Sequence, residues 1–179
     1  MLCDDSKLRS STSTRADTQS DLLAFCLKPA RGHLPSLANL DLSGNSFGKK
    51  ALRWDSCNWP HLTKLTVSQC SLGVSDIEGL VRGHWPLLAC LDVGDNNLYH
   101  SYLRSLAQGL WPELLELRLA NNGNSALEEL HQASWKSLRM LDLGAHILHS
   151  ALHWKQFMLH CESLENRYTP CTSVVRCVR

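Results

Sequence analysis

The chain of 179 residues is 44% hydrophobic, 20% charged and 7% aromatic, a size that suits one domain or one short array of repeats. Eighteen Lys and Arg against 17 Asp and Glu leave a formal charge of +1, without the basic excess that phosphate-backbone binding draws on, so nucleic acid is not an expected partner. No apolar run approaches the roughly 18 residues of a membrane span, and Met1-Leu2-Cys3-Asp4-Asp5 is acidic where a signal peptide has a basic region and then an apolar stretch, so neither export nor membrane insertion is expected.

Residues 1–20 are rich in Ser and Thr and nearly devoid of apolar side chains after Leu8, which predicts a disordered tail that cannot offset the entropy of ordering. Asp21 through Leu27 reads as a helix with Leu22, Leu23, Phe25, Cys26 and Leu27 as candidate buried residues, a partial cap on whatever follows. Eight cysteines, Cys3, Cys26, Cys57, Cys70, Cys90, Cys161, Cys171 and Cys177, lack paired spacing in a chain long enough to bury a core unaided. Free thiols in a reducing, cytoplasmic setting are the simpler expectation.

From residue 34 onward the chain repeats itself. Trp59-Pro60-His61-Leu62, Trp85-Pro86-Leu87-Leu88, Trp111-Pro112-Glu113-Leu114 and Trp135-Lys136-Ser137-Leu138 recur at intervals of 26, 26 and 24, with Leu34-Pro35-Ser36-Leu37 as a weaker copy upstream. Each is followed by one apolar comb: Leu37, Leu40, Leu42; Leu62, Leu65, Val67; Leu88, Leu91, Val93; Leu114, Leu117, Leu119; Leu138, Leu141, Leu143. Three residues past each comb stand Asn45, Cys70, Asn96, Asn122 and His146, and two further on Phe47, Leu72, Leu98, Asn124 and Leu148.

Alternation along a short strand turns Leu40 and Leu42 inward and Asn39, Asp41 and Ser43 outward. An Asn in the bend can satisfy backbone groups that the turning chain leaves unpaired, and Cys is a small substitute with a weak donor. After each bend the i, i+3 spacing of Ile77, Leu80 and Val81, of Leu103 and Leu106, and of Leu127 and Leu130 predicts helices packed on the strands. Helix starts are expected at Ser75-Asp76 and Ser101, and left-handed stops at Gly83 and Gly109. Proline disfavours the helical region for its predecessor, so Trp59, Trp85 and Trp111 are expected extended, their rings filling the wedge between helix and sheet. Ser150 to His160 reads as a further helix, and 161–179 as an irregular run without a comb, either a tail or the edge of a longer array.

The pattern L-x-x-L-x-L-x-x-N/C-x-L through residues 34 to about 148 resembles the leucine-rich repeat. Asn124 and His146 depart from it, which points to looser later units. The unit length, with a helix outside, is similar to the intracellular, ribonuclease-inhibitor-like members. The resemblance implies an α/β solenoid, a right-handed horseshoe segment with parallel concave strands and convex helices, its repeat domain spanning 21–160. It also implies a protein-binding role without chemistry or cofactor.

Other readings compete with this one. His146, His149, His153, His160 and Cys161 have metal-ligand composition, with His149 and His153 at i, i+4, but no C-x-x-C pair or matching carboxylate accompanies them, so no metal site is expected. Cys70 and Cys90 lack a base to activate a thiolate, no phosphate-cradling loop or hydrolase elbow appears, and neither catalysis nor a small-molecule substrate is expected. A fragment of a larger leucine-rich-repeat receptor or ubiquitin-ligase adaptor is a third reading.

The expected contact surface is the outward side of the strands. Stacking at ~4.8 Å gives a central column of Asp41, Thr66, Asp92, Arg118 and Asp142. It is flanked by Asn39, Lys64, Cys90, Glu116 and Met140 on one side and by Ser43, Ser68, Gly94, Ala120 and Gly144 on the other. Of these, Asp41, Lys64, Thr66, Asp92, Glu116, Arg118, Met140 and Asp142 are the candidate partner-binding residues, with Arg118 placed to bridge Asp92 and Asp142.

Overall fold

In each unit the middle leucine of the comb, Leu40, Leu65, Leu91, Leu117 or Leu141, sits at the centre of a three-residue strand, buried between two more exposed neighbours. The computed structural model describes residues 36–45, 54, 57, 59–99, 101–122, 127–143 and 174–176. The strands are β1 (Asn39–Asp41), β2 (Lys64–Thr66), β3 (Cys90–Asp92), β4 (Glu116–Arg118) and β5 (Met140–Asp142), and each pairs in parallel with the next. Parallel neighbours need a crossover, which α1 (Val74–Arg82), α2 (Tyr102–Ala107) and a 3₁₀ helix (Leu127–Gln132) supply between β2 and β5. The helical segment before β5 lies in the 24-residue interval; a 3₁₀ rise of about 2.0 Å per residue, against about 1.5 Å in an α-helix, spans more length with fewer residues.

The core is the comb itself, with Ile77, Leu80, Tyr102, Leu103, Leu106 and Leu130 packed on it from the helical side. Trp59, Trp85, Trp111 and Trp135 are all buried, as the repeat predicts, and Trp54, outside the repeat motif, joins them. The rings of Trp54 and Trp59 lie 6.4 and 5.7 Å from that of Trp85, while Trp111 stacks on Trp135 at 6.0 Å. The Trp85 indole donates to Leu80 O at 2.7 Å and so closes the end of α1.

The helix ends differ from expectation in three places. α1 begins at an extended Gly73, not at Ser75-Asp76, and Asp76 reaches back to accept the Gly73 N–H at 2.9 Å. Ser101 does stand at the start of α2, but only its carbonyl serves, accepting Ser105 N–H. Gly83 and Gly109 are not left-handed stops: Gly83 is extended at φ −65°, ψ 157°, and Gly109 has no positive φ. What requires glycine there is the following tryptophan, since a Cβ on Gly83 would stand 2.5 Å from Trp85 Cε2 and one on Gly109 2.6 Å from Trp111 Cη2.

Left-handed residues occur instead at the bends, where Gly44, Gln69, Asp95 and Asn121 precede the bend residue and Ser71 and Asn97 follow it. The turn directs backbone groups inward, and the bend side chains receive them. Asn96 donates to Val67 O (2.8 Å), Val93 O (2.9 Å) and Gly94 O (3.0 Å), and accepts from Cys70 N–H (2.8 Å) and Leu72 N–H (3.2 Å). Asn122 accepts the corresponding N–H groups of Asn96 and Leu98 and donates to Val93 O and Leu119 O. In Cys70 the thiol donates to Leu42 O at 3.0 Å. Each bend is thus tied to the one before it.

A sixth strand, β6 (Val174–Arg176), pairs antiparallel with β5 and ends the sheet. It falls in the run expected to be irregular and has no counterpart in the repeat. The expected N-terminal tail, cap helix and Ser150–His160 helix lie outside the described residues, as do His146, His149, His153, His160 and Cys161.

Candidate functional site

Because every comb has the same spacing, the strands stack without offset and the outward residues fall into rows. One row is Asn39, Lys64, Cys90, Glu116 and Met140; the next is Asp41, Thr66, Asp92, Arg118 and Asp142. All eight candidate residues therefore share one open sheet face. Asp41 and Lys64 are exposed, and Thr66, Asp92, Glu116, Arg118, Met140 and Asp142 are half-buried between neighbouring strands.

The face carries four carboxylates, Asp41, Asp92, Glu116 and Asp142, against two cations, Lys64 and Arg118. Arg118 lies 3.2 Å from Glu116, two residues back on its own strand, and 4.0 Å from Asp92 on β3. Glu116 is the partner that lateral stacking alone does not reveal; residues i and i+2 of a strand share a face. Pairs this exposed contribute about 0–1 kcal/mol each.

Burial pushes the Asp92 carboxyl above its ordinary pKa, and Asp142 and Asp95 add to the rise, while the Gly94 N–H, at 3.0 Å from Oδ1, and Arg118 pull it down. A carboxyl that holds its proton more tightly in the folded chain adds stability below the ordinary carboxylate pKa and loses it as pH rises through the folded value. Asp92→Asn is therefore expected to be the more stable protein near neutral pH, by under about 1 kcal/mol after solvent screening, with the advantage gone in acid. Urea melts of both proteins across that pH range check this.

Two thiols flank these charges. Cys70 is pushed up to about 12, first by burial, with the Asn45 N–H lowering it and Asp41 raising it. Cys90 is also raised, by burial and then by Glu116, whose Oε2 is 3.8 Å from the sulfur. Both environments favour the thiol over the nucleophilic thiolate. Among the described residues, Cys70 and Cys90 carry free thiols, and no group of three or more His, Cys, Asp or Glu is placed to hold a metal ion. No helix among them is long and apolar enough to cross a membrane.

The third row is small. Gly94 approaches β4 so closely that a Cβ would lie 3.2 Å from Ala120 O. From Ser68 of that row runs a polar rim that the alternation does not predict. Ser68 Oγ donates to Asp95 Oδ2 at 3.4 Å and Asn121 Nδ2 to Asp95 Oδ1 at 2.8 Å, joining three successive units. The signal lies in the residue before each bend, which takes a left-handed φ and swings its side chain along the rim.

No protein-family model matches the chain, and none of the curated proteins compared with it does. Among solved structures it is similar to the tropomodulin C-terminal domain of Caenorhabditis elegans, with a TM-score of 0.56 and 19% sequence identity over 78% of this chain and 91% of that one. That domain has a leucine-rich repeat fold, which agrees with the parallel α/β sheet described above.

Proposed function

We propose that the chain is a protein-binding module, a short leucine-rich repeat solenoid of the intracellular, ribonuclease-inhibitor-like kind, acting in the cytoplasm as a regulator or inhibitor through its concave sheet face. The observation that carries this reading is the pair of in-register rows, which set Asp41, Lys64, Thr66, Asp92, Glu116, Arg118, Met140 and Asp142 side by side across five strands. Asp92 supports it further: its half-buried carboxylate stands at the middle of the central row, 4.0 Å from Arg118 on the next strand. The excess of carboxylates on the face disfavours a phosphate backbone, and no catalytic step is assigned to it.

Capture of the partner from lysate by the immobilised chain, with Asp92→Lys and Arg118→Glu variants alongside, tests the reading. Each substitution is expected to weaken capture at least about tenfold while the circular dichroism stays unchanged. Arg104→Glu, on α2 where Arg104 pairs with Glu129 at 2.8 Å, is expected to leave capture intact. Loss of capture in Arg104→Glu with full capture by the two face variants would move the site to the helical side.

A further inference from the structure

The edge of β5 holds an unusual strand. β1 to β5 run parallel and each belongs to a comb, but β6 is antiparallel and lies in a run without one, joined to β5 through residues 143–173. Its three residues pair Arg176 with Met140, Val175 with Leu141 and Val174 with Asp142. The last strand of a parallel set presents a row of unpaired N–H and C=O groups that an extended segment of either direction can fill. We infer that the outer edge of β5 is a strand-docking site whose resident ligand is the chain's own Val174–Arg176, and from which that segment is exchangeable.

Three observations converge on this. The pairing is short, and the segment has no leucine comb of its own to tie it into the repeat stack. Its sequence, Val-Val-Arg, is β-branched and extended by preference. The sequence around it is basic, with Arg167, Arg176 and Arg179 and no Asp or Glu in residues 166–179, whereas the outward rows of β1 to β5 carry four carboxylates, Asp41, Asp92, Glu116 and Asp142, against two cations, Lys64 and Arg118. The site thus takes a basic, β-branched strand by main-chain addition, with backbone hydrogen bonds providing the hold and charge the selectivity.

A tethered strand has an effective concentration on the order of 1 mM, so a free peptide competes poorly until the resident is disabled. The probe is a fluorescent peptide of residues 173–179 with Cys177→Ser, titrated against the full chain and against full-length Val175→Pro, in which proline removes a backbone donor. The variant is expected to bind it at least about tenfold more tightly than the unaltered chain, and a peptide carrying V175P is expected not to bind either. Equal binding to both proteins, or no binding to a folded Val175→Pro, overturns the inference. So does a concentration-dependent dimer of that variant that ignores the peptide, which assigns the edge to a second copy.

Hydrogen exchange on the unaltered chain gives an independent reading if the variant does not fold. Amides of Val174–Arg176 are expected to exchange at least about a hundredfold faster than those of β2 to β4, because the strand leaves without unfolding the stack. Exchange of all the strands at one rate overturns it.

Discussion

Asn96→Ala is expected to lower the unfolding free energy by about 3–5 kcal/mol, more than any other single polar substitution in the described sheet. Asn96 is 4% exposed, and its side chain makes five hydrogen bonds to backbone groups of two consecutive bends. Alanine leaves the N–H groups of Cys70 and Leu72 and the carbonyl of Val67 without that partner inside the stack, each orphan costing about 1–3 kcal/mol before relaxation. Asn96→Asp separates the two halves of the role, because it keeps an acceptor for the two N–H groups but turns a carboxylate toward three carbonyls. It is expected to be about as damaging as alanine near neutral pH. Cys70→Ala, which removes one weak thiol donor, is expected to cost about 1–2 kcal/mol. Urea denaturation followed by circular dichroism measures all three. A loss for Asn96→Ala no larger than that for Cys70→Ala would show that the bends hold without the asparagine.

The same residue shows why so much of the sheet was legible beforehand. A comb with one spacing in every unit fixes which residues face outward, and bend hydrogen bonds between successive units align them, so Asp41, Thr66, Asp92, Arg118 and Asp142 fall in one row. The bend asparagine is equally constrained, because backbone groups turned into the core need a side chain with both donors and an acceptor.

What escaped the sequence depends on direction in space and not on spacing. Gly83 and Gly109 stand where left-handed caps are common, yet the chain leaves each helix in an extended path and the constraint comes from an indole two residues later. The Arg118 to Glu116 contact depends on where a flexible guanidinium turns, and the rim from Ser68 to Asn121 depends on left-handed φ values at Asp95 and Asn121. β6 has no periodic signal at all, since an edge strand is selected by open hydrogen-bonding groups more than by a pattern of its own.

Gly83→Ala is the other substitution with a large expected effect, about 2–3 kcal/mol of lost stability, and it isolates a steric cause. The backbone at φ −65°, ψ 157° suits alanine, so no conformational strain contributes. The new methyl would instead stand 2.5 Å from Cε2 and Cζ2 of Trp85, inside any carbon–carbon contact distance. Trp85 cannot yield cheaply, because its indole N–H is bonded to Leu80 O at 2.7 Å and its ring is wedged between Trp54 and Trp59. Gly109→Ala meets Trp111 at 2.6 Å, but among the described residues that indole N–H has no hydrogen-bond partner and the ring stacks on Trp135 alone, so the loss is expected to be smaller, about 1–2 kcal/mol. Gly73→Ala, with its nearest neighbour 3.7 Å away, is expected to be close to neutral. The decisive measurement is a double-mutant cycle. If the clash is the cause, Gly83→Ala costs at least about 1 kcal/mol less in a Trp85→Phe background than alone, whereas additive losses would place the damage in the backbone of the helix end.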